Sequence, residues 1–294
     1  MKLTFDQIAE YLRHGVLRVE GALEEEDLQP VIDELKQIID DQANELHAEG
    51  KIVDLAVDEP FERRYGILYG QSQEISRGLD IMHYRGAAIF AFLRNDNLLD
   101  TLESLLGSEI TCNPIQHLRA KPPARYDPAS EPNFHNAPWH QDAGVMMAEA
   151  EGSEIITCWL PLGDATAEMG CMEVISGQRE GGYLRHQKEG GTTIASELMP
   201  AKKPVVMDCR KGDVVLMDRF TPHRSRPNKS DKCRWSLDLR YQPRGQHTGR
   251  TGHPDFVARS AAEPVSVLSD HQQWCDLWVD AMENPRGFVG HRSE

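Results

Sequence analysis

An imidazole and a carboxylate stand two positions apart in the segment NAPWHQDAGV, residues 136–145. In an extended strand the side chains of residues i and i+2 point to the same face, so His140 and Asp142 can direct ligand atoms at one point. Imidazole nitrogen and carboxylate oxygen are both ligands of divalent transition metals. The spacing therefore predicts that these two residues bind one metal ion.

A third ligand is available in the turn-rich segment MDRFTPHRSRPNKS, where His223 follows the predicted strand DVVLMD. Two histidines and one carboxylate occupy one face of an octahedral metal and leave three positions open, as in non-haem Fe(II) oxygenases. A structural zinc site would be closed, usually by four ligands that include cysteine. Of the six cysteines, only Cys233 lies within ten residues of His140 or His223. We therefore predict an open, catalytic metal site.

The H-x-D triplet is weak support by itself, because the chain has 12 histidines and a second triplet at His253 and Asp255. The residues that follow the first triplet distinguish it from the second. His223 is followed eleven residues later by Arg234, whereas no arginine takes the matching position after the second triplet. We interpret the second triplet as part of a loop.

The segment RWSLDLRY, residues 234–241, alternates polar and apolar side chains as a β-strand does. One face holds Arg234, Ser236, Asp238 and Arg240, and the other holds Trp235, Leu237, Leu239 and Tyr241. The polar face could be solvated, but a barrel enzyme also needs polar side chains inside its mouth. Because a guanidinium matches a carboxylate with two parallel hydrogen bonds, Arg234 near a metal suggests an anionic co-substrate.

The elements that must position these residues change character along the chain. Helical patterns dominate up to about residue 108, beginning with a helix capped by Thr4 and Gln7. A longer helix at 24–50 carries an apolar stripe, and a shorter one follows at 95–107. After about residue 243 come a loop and a last helix, in which Ser269 and Gln272 form a predicted capping box.

Between residues 109 and 243 the pattern is one of short β segments separated by turns, which is typical of an antiparallel sandwich or barrel. The predicted strands lie in 109–120, 138–147, 154–165, 171–177, 203–210, 213–218 and 233–243. Two long loops, at 121–138 and 177–203, interrupt them and have the length of lids or binding loops. With no repeat and no low-complexity linker, we predict one domain over residues 1–294.

Composition limits the partners and the compartment. A formal net charge of −15 argues against sequence-independent binding to nucleic acid or to anionic membranes, which needs a basic face. No apolar run has the length of a membrane span, and the N-terminus lacks the apolar region of a signal peptide. Six scattered cysteines without a C-x-x-C pair fit a reducing compartment. We therefore expect a cytoplasmic protein with a small-molecule substrate.

Five motifs, taken in order, resemble the phytanoyl-CoA dioxygenase family of Fe(II)- and 2-oxoglutarate-dependent oxygenases. They are KPP (121–123), WHQD (139–142), CWLPL (158–162), TPHRS (221–225) and CRWSLDLRY (233–241). The similarity extends from HGVLRVEG near the N-terminus to about residue 245. It implies a mainly β fold with flanking helices, the double-stranded β-helix that is also called a jelly roll or cupin-like barrel.

The resemblance also implies roles for individual residues. It makes His140, Asp142 and His223 the ligands of Fe(II), and Arg234 the partner of the 2-oxoglutarate C5 carboxylate, with Ser225 hydrogen-bonded to the same group. Three more residues match positions near the co-substrate, with packing as the alternative for each: Trp159, Gln141 and His117. The presence of Asp142 argues against the halogenating relatives, in which chloride takes the place of the carboxylate.

The activity that the resemblance implies is hydroxylation of an unactivated C–H bond with Fe(II), 2-oxoglutarate and O2, releasing succinate and CO2. Two other classes remain open: a cupin-like metalloenzyme that does not use 2-oxoglutarate, and a binding protein on the same barrel. The sequence does not decide between hydroxylation, desaturation and ring closure, and it identifies neither the substrate nor the oligomeric state. Basic residues near the expected mouth are substrate contacts or ordinary loop charges: Arg119, Lys121, Arg125, Arg224, Arg226, Arg244 and Arg250.

Overall fold

The first third of the chain is helical in the computed structural model, which describes residues 1–127, 135–188, 191–287 and Arg292. Its helices are α1 (Phe5–His14), α2 (Glu25–Ala48), α3 (Phe61–Gln71), α4 (Ile81–Tyr84), α5 (Ala87–Phe92) and α6 (Asp96–Leu106). The predicted capping box of α1 is confirmed, because the Thr4 hydroxyl accepts from the Gln7 backbone and the Gln7 side chain accepts from Thr4 N–H. The predicted apolar stripe of α2 is buried along its length.

The remaining described chain forms two antiparallel sheets, a small hairpin and one more helix. The strands are β1 (Val16–Val19), β2 (Glu109–Cys112), β3 (His117–Lys121), β4 (Ile156–Pro161), β5 (Met172–Val174), β6 (His186–Lys188), β7 (Thr192–Ile194), β8 (Val205–Met207), β9 (Val214–Asp218), β10 (His223–Ser225), β11 (Arg234–Pro243) and β12 (Phe256–Ser260). The last helix is α7 (His271–Glu283). The larger sheet has the order β1-β9-β4-β11-β2-β12, with β3 also paired to β11, and the smaller has the order β10-β5-β8.

Strand β11 organises the larger sheet and separates its two sides. Its apolar residues are buried in the main core, where Trp235 stacks on Phe61 at 5.0 Å and meets Tyr65 at 4.8 Å. Its polar residues line a cavity on the opposite side. The alternation read from the sequence is thus confirmed, but the polar face of β11 is enclosed instead of solvated, since Arg234, Ser236 and Arg240 are buried.

The helices cover the outer face of the larger sheet, so the core joins both parts of the chain. Leu35 of α2, Leu68 of α3 and Trp274 of α7 belong to the same buried cluster as the apolar face of β11. Burying each such side chain stabilises the fold by roughly 1.5–3 kcal/mol. In the described residues, no helix is both long and apolar enough to cross a membrane.

Several elements differ from the sequence prediction. Residues 138–147 were predicted as a strand, but only His140 forms a single bridge, and Asp142–Val145 is a 3₁₀ turn. The Ser269 capping box of α7 is wrong, because the side chain of Asp270 accepts from the Gln273 backbone instead. Helices α3 to α5 and strand β12 were not predicted. The predicted loop at 121–138 falls partly outside the described residues, and the one at 177–203 contains the β6–β7 hairpin.

Candidate metal centre

His140, Asp142 and His223 converge, although 81 positions separate the triplet from the second histidine. One ligand atom of each residue lies within 4.8 Å of those of the other two. The backbone causes this approach, because the N–H of each histidine donates to the carbonyl of the other, at 3.0 and 2.9 Å. The two imidazole rings then lie 4.1 Å apart, and Asp142 follows at the start of the 3₁₀ turn.

Hydrogen bonds fix the orientation of both rings. Nδ1 of His140 lies 2.8 Å from the carbonyl oxygen of Pro138, and Nδ1 of His223 lies 3.0 Å from that of Thr221. A carbonyl can only accept, so each Nδ1 carries a proton, and Nε2 is the nitrogen of each ring that can act as a ligand. Burial, with a further contribution from His223, lowers the pKa of His140 to about 3, so that ring is neutral near pH 7.

Asp142 is buried and held at both carboxylate oxygens. Oδ1 accepts a hydrogen bond from the Arg240 guanidinium, and Oδ2 accepts one from the Thr157 hydroxyl. Burial by itself raises the pKa of this carboxyl, but the nearby Arg240 charge outweighs it and holds the pKa below its ordinary value. Asp142 is therefore ionised at neutral pH, and two imidazoles with one carboxylate fit an open site for a divalent ion such as iron.

His140 and His223 line a cavity of about 200 Å³ between the two sheets, and Asp142 bonds another lining residue, Arg240. Trp159 of β4, Met172 of β5 and Arg234 of β11 all line it. Four of the seven basic residues singled out in the sequence line it as well: Arg119, Lys121, Arg224 and Arg250. By contrast, Arg244 pairs with Glu263 at the surface, at 2.8 Å.

Arg234 is buried at the cavity wall with a neutral partner. Its Nη1 donates to the Ser236 hydroxyl at 2.8 Å, and its Nε has no hydrogen-bond partner in the part of the chain that the structure describes. Burial lowers its pKa to about 10, which still leaves the guanidinium charged near pH 7. A buried cation with an unused donor fits a carboxylate ligand, because such a ligand would supply both charge and acceptors.

Ser225 lies at the same end of the cavity as Arg234. Its hydroxyl oxygen is 3.0 Å from Nζ of Lys121, and Lys121 is the direct cross-strand neighbour of Arg234. Trp159 lies beside the guanidinium, with 5.3 Å between Cζ and the ring centre. Arg234, Ser225 and Trp159, all predicted near the co-substrate, are therefore brought together.

The other two predicted co-substrate residues are placed differently. His117 lines the cavity, and its Nδ1 lies 2.8 Å from Oδ2 of Asp80. This contact fixes the orientation of the imidazole ring. Gln141 is fully buried away from the cavity lining, and its amide bonds to backbone groups. Nε2 donates to the carbonyls of Gly182 and Phe220, and Oε1 accepts from Leu184 N–H.

Sequence reasoning missed two residues that contact the candidate ligands, Arg240 and Thr157. The alternation of β11 placed Arg240 on the inner face, and Thr157 stands two positions before Trp159, so both could have been assigned to the cavity side. What no local pattern gives is their shared partner, Asp142, which lies 98 positions from Arg240. The second H-x-D triplet lies in irregular backbone before β12, as predicted, with His253 against Trp278 at 5.1 Å.

Comparison with known proteins gives a consistent result. The family model described as phytanoyl-CoA dioxygenase (PhyH) matches residues 11–236. A curated protein of Dictyostelium discoideum, phytanoyl-CoA dioxygenase domain-containing protein 1 homolog, is 28% identical over 111 residues, or 35% of this chain. That match spans 39% of the relative's own length.

Two solved structures share the architecture of this chain. The non-haem monooxygenase ThoJ, in its apo form, has a TM-score of 0.67 at 17% identity, with 95% of both chains covered. The epimerase SnoN in complex with Fe3+, alpha-ketoglutarate and nogalamycin RO has a TM-score of 0.57 at 18% identity, covering 84% of this chain and 87% of its own. These similarities confirm the predicted fold, a mainly β, cupin-like core with flanking helices.

Proposed function

This chain belongs to the phytanoyl-CoA dioxygenase family, and we propose that it is an Fe(II)- and 2-oxoglutarate-dependent dioxygenase acting on a small molecule. The reaction proposed is hydroxylation of an unactivated C–H bond, with release of succinate and CO2. The observation that carries the proposal is the shared cavity. It brings an open set of two imidazoles and one carboxylate together with a buried arginine that has a neutral partner.

In this proposal His140, Asp142 and His223 hold Fe(II), and Arg234 holds the far carboxylate of 2-oxoglutarate. Ser225 assists at that carboxylate, since its hydroxyl lies at the same end of the cavity. When bound, iron and 2-oxoglutarate would supply the electrons that activate O2 for oxidation of the substrate, chemistry that no side chain provides. The residues of the chain bind, orient and protect these groups.

Water exclusion falls to the apolar side chains of the cavity wall. Trp159, Met172 and Met217 are buried and line the cavity next to the candidate ligands. A dry wall strengthens the attraction between Arg234 and a carboxylate, because the local dielectric is low. His117, held by Asp80, presents its second nitrogen as a hydrogen-bonding group for a bound molecule.

Hydroxylation is proposed because it is the outcome that the family resemblance implies. The solved structure of SnoN is that of an epimerase with the same architecture, so the fold is compatible with more than one outcome. A small-molecule substrate is supported by the nogalamycin RO bound in that structure and by the enclosed cavity of this one. We further propose a cytoplasmic setting, which the six free thiols support.

The test is an anaerobic titration of the metal-free protein with Fe(II) and then 2-oxoglutarate. Chelation of ferrous iron by the keto acid at an open site should give a weak visible band near about 500 nm. We expect the band in the wild type, its loss in Asp142→Ala, and a large rise in the 2-oxoglutarate Kd in Arg234→Ala. Arg244→Ala, which removes a surface arginine, is the control and should match the wild type.

The other outcomes select the rival classes. If iron binds and no band forms, the protein is a metalloenzyme of another kind. If the band forms but succinate never accumulates with any candidate substrate under O2, a binding protein on the same barrel becomes the better description. If Arg234→Ala binds 2-oxoglutarate as tightly as the wild type, the assignment of Arg234 is wrong.

A further inference from the structure

The carboxylate of Asp142, a candidate metal ligand, accepts hydrogen bonds from two side chains of adjacent strands. Arg240 and Thr157 stand directly opposite each other in the pairing of β11 with β4. From these facing positions Arg240 bonds Oδ1 of Asp142, and Thr157 bonds Oδ2. All three side chains are nearly inaccessible to solvent, with exposures of 3% or less.

We propose that Arg240 and Thr157 are positioning residues that hold the side chain of Asp142 in a fixed orientation for a metal. Arg240 is the counter-charge of the carboxylate, a role that a bound metal would share. This inference rests on the metal centre of the proposed function, and it adds that the centre is positioned by two residues that are not ligands.

The need for a counter-charge follows from burial. An ionised carboxylate in the interior is tolerated only when it is paired and hydrogen-bonded. Among the described residues, Arg240 is the one charged side chain that bonds Asp142. A neutral residue at position 240 would therefore leave the carboxylate buried without compensation.

The orientation of Asp142 is rigid because Arg240 and Thr157 are themselves held in place by other parts of the chain. The Arg240 Nη1 donates to the Ile115 carbonyl at 3.3 Å and lies 3.6 Å from Oδ1 of Asp238. Thr157 sits within the central strand β4, and as a β-branched residue it has few rotamers. Asp142 cannot turn away without breaking one of these bonds.

The two hydrogen bonds leave acceptor positions on the Asp142 carboxylate for a metal. Each carboxylate oxygen has two acceptor positions, so one hydrogen bond on each oxygen leaves a position free on both. A hydrogen bond from a neutral group such as the Thr157 hydroxyl orients a metal ligand, and its removal typically lowers metal affinity by about 10- to 100-fold. Asp142 therefore meets the metal with a fixed geometry.

Thermal unfolding with and without Co(II) tests the counter-charge role, because Co(II) alone probes the metal site without 2-oxoglutarate. Arg240→Gln is compared with Arg219→Gln, which removes a buried arginine 3.6 Å from the buried Asp218, outside the cavity lining; Arg179 stays 3.3 Å from Asp218 in that variant. Without metal, loss of its buried pair should lower the Tm of Arg240→Gln by about 10 °C, and Arg219→Gln should lower the Tm by less. Saturating Co(II) should raise the Tm of Arg240→Gln by more than it raises that of the wild type, and so restore most of the loss. It should raise the Tm of Arg219→Gln only by as much as it raises that of the wild type.

Thr157 is tested by Co(II) affinity. Thr157→Val keeps the shape and removes the hydroxyl, and it should raise the Co(II) Kd about tenfold. Thr157→Ser restores the hydroxyl and should bring the Kd back to within about twofold of the wild type. The visible Co(II) spectrum of each variant reports the coordination geometry directly.

The outcomes separate this inference from the proposed function. If the wild type does not bind Co(II), the metal centre itself is wrong and the inference falls with it. If the wild type binds Co(II) but Arg240→Gln gains no more stability from it than Arg219→Gln does, the counter-charge role is refuted. A Thr157→Val protein with the wild-type Kd and spectrum overturns the positioning role of that residue.

Discussion

At the scale of single residues, two buried arginines on one strand are used in opposite ways. Arg240 is paired within the chain, to the carboxylate of Asp142. Arg234, six positions earlier on the same face, has a hydroxyl as its hydrogen-bond partner in the described chain. A buried guanidinium is stabilised by a carboxylate far more than by a hydroxyl, so the balancing charge for Arg234 is expected from a ligand.

Ser236 should therefore matter for co-substrate affinity without being required for it. Its hydroxyl accepts a hydrogen bond from Arg234 Nη1 at 2.8 Å and holds the guanidinium group in place. A hydrogen bond to a charged group contributes about 1.5 kcal/mol, so Ser236→Ala should raise the Kd for 2-oxoglutarate about tenfold. The anaerobic visible band measures this Kd, with the surface variant Ser266→Ala as the control. An unchanged Kd in Ser236→Ala would show that Ser236 does not orient the arginine.

At the scale of elements, the ligands meet through a different element from the one predicted. The spacing of His140 and Asp142 suggested a strand, but a single bridge to His223 and a 3₁₀ turn bring them together. The spacing was informative because the chemistry needs those residue types near each other. The bridge itself could not be predicted, because it depends on a segment about eighty residues away.

Strand β11 was predictable where the short helices α4 and α5 were not, for a physical reason. A strand that separates a core from a polar cavity must alternate strictly, and Arg234 to Tyr241 do so. Helices α4 and α5 have only four and six residues, too few to show a helical period. The cap of α7 was misplaced by one residue, because Ser269 and Asp270 are both good caps and only the fold selects between them.

Gln141 connects the ligand segment to the loop at 177–203, and we expect its loss to loosen that loop. Its amide makes three hydrogen bonds, to Gly182, Leu184 and Phe220. Gln141→Met leaves these partly buried backbone groups without the amide partner, at a cost of roughly 1 kcal/mol each. Hydrogen exchange of the Leu184 amide should become faster, while Gln37→Met on the exposed face of α2 should leave it unchanged. If the Leu184 amide exchanges as slowly in Gln141→Met as in the wild type, Gln141 does not hold this loop in place.

At the scale of the whole molecule, the thiols report how completely the core is closed. Five cysteines are buried and Cys275 is half-buried. Burial raises the pKa of Cys171 and of Cys209 to about 12, so almost no thiolate is present at those positions at pH 8. A thiol reagent at pH 8 should therefore modify at most Cys275 in the native protein and all six thiols after unfolding. Rapid reaction of a second thiol in Cys275→Ser would show that the core opens.

The metal centre should be dispensable for folding, which sets this protein apart from small zinc domains that unfold without their ion. The main core lies on the outer side of the larger sheet, and Asp142 is paired with Arg240 within the chain. Removing the metal with EDTA should leave the far-ultraviolet circular dichroism unchanged. The free energy of unfolding should fall only by the binding linkage, about 2.7 kcal/mol when the metal had been present at 100 times its Kd. Asp142→Ala, which lacks one ligand, should show almost no EDTA effect. Unfolding of the wild type by EDTA would mean that the ion, and not the Arg240 pair, holds the centre together.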